Sequence, residues 1–212
     1  MSLPAILATV LIALPSAAAA ESGRSSLGAR GMITVADGEP ANDIPGFGVF
    51  AGYRLNDRWS LGLSVDRTEY DFEEPARLVG LAQDPSLDPI DVIAEATVFQ
   101  LELRRSFERL GGRWVWFVGA GLGAASIDVP DAQGALAGSG TFDIETEADT
   151  EVVASLLGGL QRRFGDHWFL ELALRADQHF ADWQLVDRVS GARGAVDDYI
   201  AYGGYFGLGF RF

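Results

Sequence analysis

The chain predicts an all-β fold: eight antiparallel strands in up-and-down order, closed into a transmembrane β-barrel. Three observations carry that expectation. Apolar side chains alternate with period two over most of the chain. One short turn recurs three times at near-constant spacing. The last residues alternate aromatic and small side chains up to a terminal Phe212. The 26 Gly and 13 Phe among 212 residues suit strands and tight turns better than a helical bundle.

The strands are justified in order. Residues 26–35 put Leu27, Ala29, Ile33 and Val35 on one face. In 47–55, Phe47, Val49, Ala51, Tyr53 and Leu55 oppose Gly48, Phe50, Gly52 and Arg54. In 59–70, Trp59, Leu61, Leu63 and Val65 oppose Ser60, Gly62, Ser64 and Asp66. In 95–107, Thr97, Phe99, Leu101 and Leu103 oppose Val98, Gln100, Glu102 and Arg104. Further strands are expected over 114–125 and 151–163. In 168–180, Trp168, Leu170, Leu172 and Leu174 oppose Phe169, Glu171, Ala173, Arg175 and Asp177, and 199–212 is the last strand. Three turns precede Trp59, Trp114 and Trp168: Asn56-Asp57-Arg58, Gly111-Gly112-Arg113 and Gly165-Asp166-His167. These short turns share one rim, so the long segments 71–95, 126–151 and 181–198 are expected as loops on the other. An even strand count returns both termini to the short-turn rim.

Which face meets lipid follows from the charges. Arg30, Arg54, Asp66, Glu102, Arg104, Arg163, Glu171, Arg175, Asp177 and Arg211 share a face with Gly and Ser, which suits a crowded lumen where opposite charges pair. The Leu- and Val-rich face then looks outward. Trp59, Trp114 and Trp168 form an aromatic girdle at one interface, with Tyr70, Phe72, Phe180, Trp183 and Tyr199 as candidates for the other. A soluble barrel would invert the two faces.

Residues 1–20 are nearly all apolar and end in Ala18-Ala19-Ala20, as a cleavable signal peptide does, leaving 21–212 as the barrel domain. No basic residue precedes the apolar run, which leaves open whether Met1 is the true start. No later segment is long and apolar enough for a spanning helix. Cysteine is absent, which removes disulfides, thiol catalysis and Cys-ligated metals. All 16 basic residues are Arg and do not cluster, and the net charge of −14 argues against a nucleic-acid partner. Acids concentrate in the loops of the long-loop rim, where 21 of them, Asp37, Glu39 and Asp43 between the first two strands included, face three Arg, so the loops carry −18 and the remainder +4. Such a rim repels lipopolysaccharide phosphates unless divalent cations bridge them. The run Asp143, Glu145, Glu147, Asp149 and Glu151 alternates with Phe142, Ile144, Thr146, Ala148 and Thr150, as in a strand continued beyond the bilayer. Its acids, turned to the lumen side, are candidate divalent-cation contacts, although no EF-hand spacing is present. No metal centre or cofactor site is expected.

The terminal pattern Gly207-x-x-Phe210-x-Phe212 resembles the C-terminal strand signal read by the barrel-assembly machinery. With it, residues 26–212 resemble the small eight-stranded bacterial outer-membrane barrels, the opacity-protein-like and OmpA-transmembrane-domain-like family. The resemblance implies outer-membrane location, short periplasmic turns, long extracellular loops, periplasmic termini and contact with outer-membrane lipid and lipopolysaccharide. The protein is expected to be a monomer.

Two motifs fall away on inspection. Gly119-Ala-Gly121-Leu-Gly123 fits the dinucleotide fingerprint, but Ser126-Ile-Asp-Val-Pro130 follows where a helix is required. His179 lies on the face of Arg175 and Asp177, and an enzymatic reading resembles the outer-membrane lipid A deacylases with their His-x-Ser pair. Here the residues are His179-Phe180-Ala181, without the nucleophile, while His167 belongs to a solvated turn. The expected function is therefore non-enzymatic, a structural or surface-interaction role carried by acidic extracellular loops toward an unidentified extracellular ligand. The alternative is a narrow porin-like channel for small or apolar solutes with a cation preference. The Gly-rich lumen faces at 119–123 and 203–209 keep that alternative alive.

Overall fold

The computed structural model describes residues 24–36, 44–73, 75–84, 86–87, 91–108, 113–138, 140–147, 150–181 and 183–212. The leader 1–20, the first-loop acids Asp37, Glu39 and Asp43, the glycines of the second turn and Asp149 lie outside them. In chain order the elements are β1 (Ser25–Ala36), β2 (Ile44–Arg54), β3 (Trp59–Glu73), a single helical turn α1 (Pro75–Leu78), β4 (Asp91–Glu108), β5 (Trp114–Asp128), β6 (Ala132–Leu136), β7 (Gly140–Glu147), β8 (Thr150–Phe164), β9 (Trp168–Phe180), β10 (Trp183–Asp187), β11 (Arg193–Val196) and β12 (Tyr199–Arg211).

Eight of these strands form a closed antiparallel barrel in the order β1-β12-β9-β8-β5-β4-β3-β2. Apart from the β1–β12 pair, every neighbour in the ring is also the next barrel strand along the chain, so hairpin connections suffice. The seam joins the first and last strands, from Ser26 opposite Arg211 to Ala36 opposite Ala201. At the short-turn rim the chain is held tightly. The Asn56 side-chain oxygen accepts from the backbone N–H groups of Arg58 (2.9 Å) and Trp59 (3.0 Å). Gly165 takes φ of 61°, which opens the third turn at little steric cost.

The two faces divide as the alternation dictates. Leu122, Leu156, Leu172 and Leu174 are exposed on the outside, while Asp66, Glu102, Glu171 and His179 are buried inside. The outer apolar band has marked edges. At the short-turn end Trp59, Trp114 and Trp168 are exposed, with the Arg105 guanidinium over Trp59 and that of Arg162 over Trp114. At the other end Arg67 and Glu95 pair on the outer surface. Along β3, Trp59 to Arg67 spans roughly 26 Å at about 3.3 Å per residue, which at a strand tilt of about 40° rises roughly 20 Å along the barrel axis, the scale of the apolar band of a membrane barrel.

Beyond that band the structure departs from the expected plan of loops. The segments between β5 and β8 and between β9 and β12 contribute two hairpins, which join in a second sheet of order β11-β10-β7-β6. Gln184 pairs with Glu147 and Asp187 with Ile144 across the two segments. The alternation over 142–147 is therefore not a continuation of a barrel strand. Phe142, Ile144, Trp183 and Leu185 are buried against Val92, Val98, Ile127, Val153 and Ala201. An apolar cluster thus closes the long-loop end of the lumen. Trp183 belongs to this core and Tyr199 faces the lumen, so neither joins an outer girdle, whereas Phe180 is exposed.

The expected Gly-rich gaps are filled as well. A Cβ on Gly123 would lie 2.8 Å from the Gln100 side chain, and one on Gly209 would lie 2.1 Å from the Phe169 ring. These glycines make room for large inward neighbours instead of leaving a bore.

Asp187 fastens the second sheet. Its carboxylate accepts from the backbone N–H groups of Asp143 (2.8 Å), Ser190 (2.8 Å) and Val189 (3.3 Å), and from the Ser190 hydroxyl. Burial pushes its pKa up, but these hydrogen bonds outweigh that and hold it down at about 2. A carboxylate with a depressed folded pKa stabilises the fold fully above its unfolded value near 3.8, and that contribution is lost as pH falls through about 2. The protection of the Val189 and Ser190 amides, their exchange rate relative to an unfolded chain at the same pH, should therefore be constant above about pH 5 and be lost only between about pH 4 and 2. Loss of protection already at pH 5–6 would contradict this anchoring.

Candidate functional site

Inward-facing residues on β1, β3, β4, β9 and β12 meet in the middle of the lumen, and the site is built from them. Arg30 on β1 donates through Nε to Asp66 on β3 at 2.8 Å and forms a second, very short contact to the other carboxylate oxygen. This is the two-pronged geometry that guanidinium and carboxylate favour. Arg30 also donates to Ser64 Oγ (2.9 Å) and lies 3.6 Å from Glu102 on β4. Arg104, two residues along β4, reaches Glu102 (2.6 Å) and crosses to Glu171 on β9 (2.8 Å). Arg175 on β9 bonds Asp177 (2.7 Å) and returns to Asp66 (2.8 Å). A continuous chain, Arg175–Asp66–Arg30–Glu102–Arg104–Glu171, therefore runs across the lumen.

Neutral groups complete it. The Tyr205 hydroxyl on β12 donates to Glu171 (2.8 Å), accepts from Arg104 (3.2 Å), and its ring lies under the Arg30 guanidinium at 4.6 Å. Gln100 bonds Ser155 and Asp177, and Gln161 bonds Glu171. Each buried ion thus has several partners, the condition under which charges persist away from water.

Nearer the long-loop end His179 meets Glu151 through Nδ1, and Tyr199 stacks on the His179 ring at 4.5 Å while donating to Glu151 (3.0 Å). The apolar cluster under the second sheet lies above this trio.

Of the ten charges expected in the lumen, the structure joins Arg30, Asp66, Glu102, Arg104, Glu171, Arg175 and Asp177 in one assembly. Arg211 connects to it at the short-turn mouth, through Gln161. Arg163 lines that mouth, and Arg54 is exposed there. The five-acid run is split. Glu151 is enclosed with His179, while Asp143 and Glu145 are partly exposed and bond Arg188. The cause is the break between β7 and β8, which places the two ends of the run in different sheets. Among the described residues no three acidic or His side chains converge on a metal position. Sequence reading missed Ser64, Gln100, Ser155, Gln161 and Tyr205 as members of the assembly. Their parity was the available signal, since each lies on the inward face. Gly207 faces inward near Arg30, while Phe210 is half-buried and Phe212 exposed. His167, in its turn, contacts the Arg211 carbonyl oxygen and stacks on Phe210.

A sealed eight-stranded antiparallel barrel with an apolar outer band, a Trp girdle and a charge-filled lumen defines a bacterial outer-membrane barrel protein. The chain belongs to the outer membrane protein beta-barrel domain family, whose model matches residues 6–212. Among solved structures it is similar to the Neisserial surface protein A, at 13% identity and a TM-score of 0.58, over 89% of this chain and 97% of that one. It is also similar to OprG of Pseudomonas aeruginosa, at 11% identity and TM-score 0.55, over 91% of this chain and 97% of that one. A third is the outer membrane protein AlkL, at 12% identity and TM-score 0.53, over 91% of both chains. At these identities the likeness is one of fold. No curated protein sequence matches.

Removing one partner of a buried ion pair costs about 3–5 kcal/mol, because the other charge is left enclosed, whereas exposed pairs contribute roughly 0–1 kcal/mol. Glu171→Ala should therefore lower the urea midpoint of the refolded barrel far more than Glu145→Ala does. Equal shifts would contradict a paired lumen.

Proposed function

We propose that the protein is a closed-lumen, non-enzymatic outer-membrane barrel with a structural or surface-interaction role carried by its acidic long-loop end. The observation that carries this reading is the double obstruction of the lumen. A buried chain of ion pairs crosses its middle, and the apolar cluster beneath the second sheet closes one end. With solute passage disfavoured, the long-loop end is left as the surface that differs most from a plain barrel. It carries a compact four-stranded sheet with exposed Asp131 and Arg188 and partly exposed Glu145.

In this reading residues 1–20 are the removed signal peptide and 21–212 the monomeric mature barrel. The short turns and both termini face the periplasm and the second sheet faces outward. Lipopolysaccharide meets the acidic end through bridging divalent cations, and the extracellular ligand binds there too. Gly207, Phe210 and Phe212 serve as the signal for the barrel-assembly machinery. Catalysis is disfavoured because Ala181 stands where a nucleophile beside His179 is needed.

The second reading, a narrow channel with cation preference, draws on the open vestibule at the short-turn mouth and on the acidity of the opposite end. Planar-bilayer recording of the refolded barrel separates the two. The closed-lumen reading predicts a folded but silent protein, and discrete cation-selective steps would overturn it. Separately, deleting Phe212 should reduce the amount of folded protein in the outer membrane. Wild-type levels would count against the terminal signal.

A further inference from the structure

Between the charge chain and the short-turn rim the lumen widens into a vestibule with about 90 Å³ of free space. A cavity needs only roughly 15 Å³ on that scale to admit one ordered water, so this one has room for a few waters or one small oxyanion. Six arginine residues line it: Arg24, Arg54, Arg58, Arg104, Arg163 and Arg211. The lining acids are three, Asp57, Glu102 and Glu171, and both glutamates bond Arg104. The lining thus carries three more positive than negative charges. Phe50, Phe117 and Phe169 supply low-dielectric walls, which strengthen the field inside a cleft. Two of the cations are held in place, Arg211 by Gln161 and over the Phe169 ring at 5.2 Å, and Arg104 over Phe117 at 5.0 Å.

We propose that this vestibule binds a phosphate-type oxyanion, supplied either as soluble multivalent phosphate or as a lipid headgroup. Guanidinium groups match phosphate oxygens in geometry as well as charge, and several around one cavity suit a multiply charged oxyanion better than a single carboxylate. The site lies at the opposite end of the barrel from the acidic sheet and does not depend on whether the lumen conducts.

The test uses the purified full chain in neutral detergent, titrated with inorganic pyrophosphate by calorimetry. A second arm follows the ³¹P signal of nanodiscs made with phosphatidylglycerol or with phosphatidylcholine. The comparison variant is R54Q/R58Q, whose exposed side chains lie outside the buried chain, so that heat-dependent gel mobility should stay wild-type. Saturable binding is expected, weakened at least about tenfold in the variant and at high salt. Pyrophosphate binding assigns the soluble source; a bound phosphatidylglycerol population without pyrophosphate binding assigns the headgroup. No saturable binding in either arm, or binding unchanged in the folded variant, overturns the proposal.

Discussion

Eleven register pairs between the first and last strands, from Ser26 opposite Arg211 to Ala36 opposite Ala201, turn a meander into a ring. Without that seam β1 and β12 would each present a row of unpaired N–H and C=O groups to hydrocarbon, where no water can satisfy them. With it, every barrel strand has two neighbours and the outside can be purely apolar. Closure also fixes what the inside must be. Eight strands enclose a space that side chains can fill, and whatever polar groups fill it must satisfy one another.

The ion-pair chain meets that demand across strands distant in sequence. Asp66 receives Arg30 and Arg175, and Glu171 receives Arg104 and Tyr205, so four strands and a fifth are tied through two carboxylates. Well-packed apolar residues could fill such a space with comparable stability, and the value of a charged interior lies equally in its geometric demands. A one-residue slip of any strand would turn its charges into lipid and its leucines into the lumen. The two ends of the barrel then diverge in character: one carries an apolar cluster beneath an acidic sheet, the other an arginine-lined vestibule.

Much of this was legible in the sequence because a barrel strand declares itself locally. Trp59, Trp114 and Trp168 begin strands where the turn repeat places them, and the bounds 168–180 of β9 agree with the alternation residue for residue. The inward parity of Asp66, Glu102, Glu171 and Arg175 could be read in the same way. What could not be read were contacts between separate segments. The β7–β10 pairing joins strands of eight and five residues from different loops, and neither segment alone signals its partner. That pairing moved Trp183 from the expected girdle to a buried core. The break before β8 likewise divided Glu151 from the rest of its acidic run, sending it to His179. Parity told which residues face inward but not which reach one another, and so Tyr205 and Gln100 went unassigned.

The paired lumen is tested most directly by exchange of the arginine Nε–H protons in the folded barrel. Arg30, Arg104 and Arg175 each donate that proton to a carboxylate inside the lumen, to Asp66, Glu102 and Asp177 respectively, whereas Arg58 lies in an exposed turn. Nitrogen-detected NMR should find three Nε–H signals that exchange with water far more slowly than that of Arg58. Exchange of all four at the rate of a solvated guanidinium would mean a wet, unpaired lumen and would contradict the account.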